Sequence, residues 1–124
     1  MKYKLVRRAN PQNRAQSKLY AQPVNDGNIN QKAISAEIVA LSSLSRDDVS
    51  NVIESLLEIL PKYLLMNKSL KLGDFGTLRL SFSSDGVEDA KDFNTKMIHG
   101  LKVIFTPSTE FKQSLDKATY ERVE

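Results

Sequence analysis

The spacing of apolar residues changes once, near Asn67, and that change limits what the chain can fold into. Before it, Val49, Val52, Ile53, Leu56, Leu57, Leu60 and Leu64 recur every three or four residues, the spacing of one helix face. After it, Leu70 and Leu72, then Leu78, Leu80 and Phe82, recur every second residue, as in a strand. A long amphipathic helix therefore runs into a β-hairpin. The helix starts at Ser45-Arg46-Asp47-Asp48, where an acid follows a serine by three places, a capping-box pattern. Asp47 and Asp48 also suit the positive end of the helix dipole. Pro61 removes a backbone donor and crowds the Leu57 carbonyl, so a kink is expected there. Ile59 and Leu65 widen the apolar stripe beyond what one small sheet can cover.

The hairpin turns at KLGDFGTLRL, residues 71–80. Gly73 and Gly76 supply the unusual backbone angles of the turn, and Phe75 anchors its tip in the core. Asp74-Phe75-Gly76 also spells the magnesium-binding triplet of protein kinases. The phosphate loop, strand lysine and H-R-D loop that such a site requires are missing from the sequence. A turn is expected, with Asp74 hydrogen-bonding within it.

Upstream, KYKLVRR (residues 2–8) alternates basic and apolar residues, a strand pattern with Tyr3 and Leu5 on one side. SKLYAQPV (17–24) is a second possible strand that Pro23 ends or holds at an edge. The two form a basic hairpin or pair elsewhere. A first helix starts near Asn28–Asn30 and carries Ile34, Ile38 and Leu41. Downstream, SSDGVEDAKDFNTKM (83–97) is a polar excursion. Leu101, Val103 and Phe105 then mark another strand, Ser108 caps a short helix with Phe111 and Leu115, and the tail is expected to be loose. The expected segments are a basic β-like extension (1–27), a main domain (28–118, with the excursion at about 83–97) and the tail (119–124).

The function classes narrow next. The chain lacks cysteine and has a single histidine, His99. It shows no metal-ligand spacing, so neither an enzyme nor a cofactor nor a small-molecule substrate is expected. The richest apolar run, VIESLLEILPKYLLM, is too interrupted to span a bilayer, and no signal peptide is evident, so the expected location is cytoplasmic. Net charge is +3 but unevenly placed. Residues 1–32 hold seven basic residues against Asp26 alone, while the other 92 hold 11 basic and 14 acidic. The positive field belongs to the N-terminal segment.

In this order LSRDDVSNVIESLLEIL, NKSLKLGDFGTLRL and VIFTPSTEFKQSL resemble the HU/IHF family of bacterial nucleoid DNA-binding proteins. The family's Gly-Phe-Gly turn core matches Phe75-Gly76-Thr77-Leu78, with Gly73 displaced one place by Asp74, and its Phe-x-Pro strand end matches Phe105-Thr106-Pro107. The similarity covers about residues 30–118. In particular the sequence resembles larger HU-like variants with an N-terminal extension, of Bacteroides type. The resemblance implies an α+β intertwined homodimer. Each chain would supply a two-helix hairpin, a three-stranded antiparallel sheet with a β-arm, and a short C-terminal helix. It also implies duplex DNA as partner, a nucleoid location, and arms that reach around the minor groove and kink the duplex with a proline wedge.

The sequence departs from that pattern in the arm. Residues 83–97 contain no proline and no arginine, and they set Asp85, Glu88, Asp89 and Asp92 against Lys91 and Lys96. Ser81 and Ser83 stand where the family carries arm arginines, and Thr106 and Thr109 where it carries lysines; Lys112 does match a family base. An acidic arm is repelled by phosphates. The expected DNA-binding residues are therefore Lys2, Lys4, Arg7, Arg8, Arg14 and Lys18, assisted by Lys91, Lys96, Lys102 and Lys112. They would act mainly on phosphates, with little sequence specificity. The alternative is a dimeric scaffold that binds protein and has lost DNA bending. Phe93 and Met97 are the apolar candidates for a wedge, although packing against a partner subunit is the favoured role for them.

Overall fold

Residues 1–123 are described by a computed structural model, and they divide into two units. The first holds Met1–Ile34 and the C-terminal segment from Leu115; the second is Ser35–Ser114.

In the first unit, strands β1 (Lys2–Asn10) and β2 (Asn13–Pro23) form an antiparallel hairpin. Of the two pairings left open by the sequence, the strands thus take each other. Their register runs from Tyr3 opposite Pro23 to Ala9 opposite Ser17, then shifts so that Asn10 faces Asn13. Asparagine side chains build the turn: Asn10 Oδ1 accepts from Gln12 N–H (2.9 Å) and Asn13 Oδ1 from Ala15 N–H (3.2 Å). On its other side β1 meets β6 (Glu121–Arg122), a short parallel strand pairing with Lys2 and Tyr3. Glu121 N–H donates to Met1 O at 2.9 Å and Val123 N–H to Tyr3 O at 3.0 Å. The expectation of a loose tail does not anticipate this pairing, which rests on backbone groups that leave no side-chain pattern.

The helix α1 (Gln31–Leu41) begins at Asn30, whose Oδ1 accepts from Ala33 N–H at 2.9 Å. In the second unit, α2 (Arg46–Leu64) opens with the expected capping box. Ser45 Oγ accepts from Asp48 N–H at 3.1 Å, and Asp48 Oδ2 from Ser45 N–H at 3.3 Å. The helix runs through Pro61 and closes at Asn67, which takes a left-handed φ of 59°. Asn67 N–H donates to Leu64 O and Lys68 N–H to Tyr63 O, the paired bonds of a Schellman ending. That local ending is why the residue period changes at this point.

Strands β3 (Leu70–Lys71), β4 (Gly76–Ser84) and β5 (Ile98–Pro107) form an antiparallel sheet in that order. The turn between β3 and β4 is fastened to the far end of β5. Ser108 donates its N–H to Phe75 O (3.1 Å) and its hydroxyl to Asp74 O, while its Oγ accepts from Phe111 N–H and so starts α3 (Thr109–Ser114). Asp74 thus enters the turn through its backbone carbonyl. Phe75 stacks on Phe105 with ring centroids 4.6 Å apart, and Phe111 meets both rings edge-on.

The excursion read as a β-arm is strand only at its base. The β4–β5 ladder ends at Ser84 opposite Ile98, and two single 3₁₀ turns follow, Ala90–Asp92 and Thr95–Met97. Asp89 and Asn94 cap them by accepting from Lys91 N–H and Lys96 N–H. Short polar side chains that bond the local backbone compete with a strand ladder, and they win here. A bulge at Phe82, opposite Gly100 and Leu101, sets off this loop; Gly100 has φ 69°.

Little of the chain is enclosed. Among the described residues, Val49, Leu64, Ser35 and Gly76 are buried. Along α2 and the turn that follows it, a second apolar line, Val52, Leu56, Ile59, Tyr63 and Met66, stays exposed, from 40% at Tyr63 to 60% at Val52. Its spacing of four, three, four and three is that of a helix–helix seam. On the sheet, Leu101, Val103 and Phe105 are also uncovered.

Candidate nucleic-acid interface

Alternation along β1 and β2 decides which basic residues can act together, because directly paired residues share a face. One face of the hairpin carries the pairs Lys4–Gln22, Val6–Tyr20 and Arg8–Lys18. The other carries Tyr3–Pro23, Leu5–Ala21, Arg7–Leu19 and Ala9–Ser17. The first face is basic and hydrogen-bonding; the second is mainly apolar. Near the hairpin base Tyr3, Leu5, Ala21 and Pro23 line a cavity of about 560 Å³ with Met1 and Tyr120.

The expected site residues separate accordingly. Lys4, Arg8 and Lys18 converge on the basic face. The Arg8 guanidinium lies 5.9 Å from the centre of the Tyr20 ring, a cation–π arrangement that holds it out along the strand. By parity Lys2 belongs to the same face, but its ammonium lies 3.4 Å from Asp26 Oδ1. Arg7 lies on the opposite face and donates to Ser17 Oγ at 3.1 Å. Arg14 sits at the turn, beyond the register shift. From Arg7 to Pro23 every residue is exposed, so this part of the hairpin presents both faces to solvent, while Tyr3, Lys4, Leu5 and Val6 near its base are half-buried.

The assisting residues lie in the second unit. Lys91 and Lys96 are on the 85–97 loop, and Lys91 Nζ is 3.7 Å from Asp89 Oδ2. At the base of that loop His99 Nε2 meets Asp85 Oδ1 at 3.2 Å. Lys102 pairs with Ser81 across β4–β5, and Lys112 is on α3. Two groups escaped the sequence reading. Tyr20 and Gln22 share the parity of Lys18, a signal visible once the second strand is accepted. Arg79, opposite Ile104, shares a sheet face with Lys102, and only the pairing register reveals this. Among the described residues no cluster of His, Cys, Asp or Glu could hold a metal ion, and no helix is long and apolar enough to cross a membrane.

The family model for HU-HIG, an HU domain fused to wHTH, Ig, or glycine-rich motif, matches residues 1–122. The chain belongs to the HU-HIG family. The match includes the N-terminal hairpin and β6, so both lie within the region that this HU-HIG model describes. Among solved structures, the chain resembles a protein of Bacteroides vulgatus ATCC 8482 named as a candidate bacterial DNA-binding protein. The two share 15% identity at a TM-score of 0.65, over 98% of this chain and 47% of the other. The likeness is one of fold, and this HU-HIG chain spans about half the length of that relative. No curated protein matches the sequence.

Proposed function

We propose that this HU-HIG chain binds duplex DNA as a homodimer, non-enzymatically and with little sequence preference, in an architectural role on the bacterial nucleoid. The observation that carries the reading is the gathering of Lys4, Arg8 and Lys18 on one face of an exposed hairpin. Cations held together on one surface release counterions from a phosphate backbone, and that release supplies most non-specific affinity. Arg14 and Lys2 add charge from the same hairpin, with Lys91, Lys96, Lys102 and Lys112 as secondary contacts. The family match and the name of the Bacteroides relative support DNA as partner.

Self-association is supported by area. The chain exposes 10692 Å². Two separately compact units of 44 and 80 residues would together expose about 8,000 Å². The surplus, about 2,700 Å², is shared between the exposed β1–β2 ribbon and the open faces of the second unit, and it leaves room for the roughly 1,000–2,500 Å² that one chain gives up in an obligate dimer. The open line on α2 and the open apolar sheet face offer the surface for it.

The test is a mobility-shift titration of a duplex of about 30 base pairs across a salt series. Affinity is expected to fall about a hundredfold or more between 50 and 200 mM salt. No shift even at low salt, together with a co-purifying protein, would replace this reading with the scaffold alternative.

A further inference from the structure

The geometry points to the β1–β2 hairpin as a two-stranded ribbon that enters the major groove of duplex DNA with its Lys4/Arg8/Lys18/Tyr20/Gln22 face toward the base edges. This inference rests on the DNA-binding reading and specifies its groove and its contact face. Three observations carry it.

The first is width. For most of its length the hairpin is only two strands wide, because β6 pairs with Lys2 and Tyr3 alone. A ribbon of that width fits a groove of about 12 Å, whereas the minor groove of undistorted B-form DNA, at about 6 Å, is too narrow. The nine residues of β1 span about 30 Å, close to one turn of the duplex.

The second is composition. The pairs at either end of the contact face, Lys4–Gln22 and Arg8–Lys18, present side-chain donors. The central pair, Val6–Tyr20, offers an isopropyl group and an aromatic ring that suit the thymine methyl group, which projects into the major groove alone. The opposite face offers a single base, Arg7, already engaged with Ser17. Charge thus selects which face turns inward.

The third is exposure. An isolated two-stranded hairpin is marginally stable in water, yet from Arg7 to Pro23 this one is covered on neither face. Arg8 is nonetheless preorganised over Tyr20, which lowers the entropy lost when it meets a base.

The experiment uses the full chain and two duplexes of one sequence, one natural and one with every purine replaced by its 7-deaza analogue. The replacement removes the N7 acceptors of the major groove and leaves phosphates and minor groove unchanged. The natural duplex is expected to bind about fivefold more tightly or better, and R8Q/K18Q is expected to bind both duplexes alike. Equal affinity of the unaltered chain for the two duplexes, with netropsin displacing it, would overturn the groove assignment and leave the DNA-binding reading intact. Failure to bind either duplex at low salt would overturn both.

Discussion

Gly76 has no room for a side chain. A Cβ built there would lie 2.4 Å from Thr106 O, 2.8 Å from the Phe105 ring and 2.9 Å from Pro107 Cα, and its φ of +146° is one that L-residues rarely adopt. Two of those three atoms are backbone and cannot yield cheaply. Gly73, three residues earlier in the same turn, has φ +56° and nothing within 4 Å of its Cβ position. The pair therefore separates strain from collision. Gly73→Ala is expected to cost about 1–2 kcal/mol from backbone strain alone. Gly76→Ala adds overlap with β5 and should cost about 3 kcal/mol or more. Urea midpoints of the two variants measure the difference, and equal losses would mean that β5 can retreat from Gly76. Both glycines are visible in the sequence as turn residues. Their different burdens are not, because the collision partners lie about 30 residues further along the chain.

Each helix start is written in its first few residues, and the capping box of α2 is the clearest case. Removing its hydroxyl with Ser45→Ala should lower stability by about 1 kcal/mol, while Ser45→Thr should keep most of it. Chemical denaturation monitored by circular dichroism at fixed protein concentration would decide the point. An alanine variant as stable as the parent would show that tertiary packing alone fixes this end. The two helices were legible because their signals are local: a cap, a spacing of three or four, and the Asn67 ending. The 85–97 loop was misread for the opposite reason. The family resemblance implied an arm, but Asp89 and Asn94 turn the backbone within three residues, and their effect outweighs any pattern at the scale of the whole segment. Pairing was the least legible property. That β1 takes β2 and then β6 depends on chain segments more than 100 residues apart meeting at Lys2 and Tyr3. The basic face was half legible, since the charges were plain but their division between Arg7 and Arg8 needed the register.

At the scale of the molecule, one apolar line stays open at Val52, Leu56, Ile59, Tyr63 and Met66, and the proposed self-association would make stability depend on a second copy seated there. If the seam closes between two chains, unfolding releases two unfolded chains from one folded particle, and mass action then enters the melting temperature. Each tenfold rise in concentration adds about 1.4 kcal/mol to a dimer's stability. For two chains of 124 residues that corresponds to about 2–3 °C in Tm. A folded monomer shows no such dependence. Ile59→Lys places a charge in the middle of the open line, at a side chain already 45% exposed in the single chain, so it spares the inward face of α2. It should cut the sedimentation mass towards 14.0 kDa and lower Tm at every concentration. Because two hairpins on one particle would bind a duplex with increased effective concentration, the same variant should also weaken duplex binding well beyond the effect of any single hairpin charge. A parent chain that sediments as a monomer at micromolar concentration, melts at a fixed temperature and still binds duplex would remove the dimer from the proposal. The hairpin of a single chain would then remain as its main binding element.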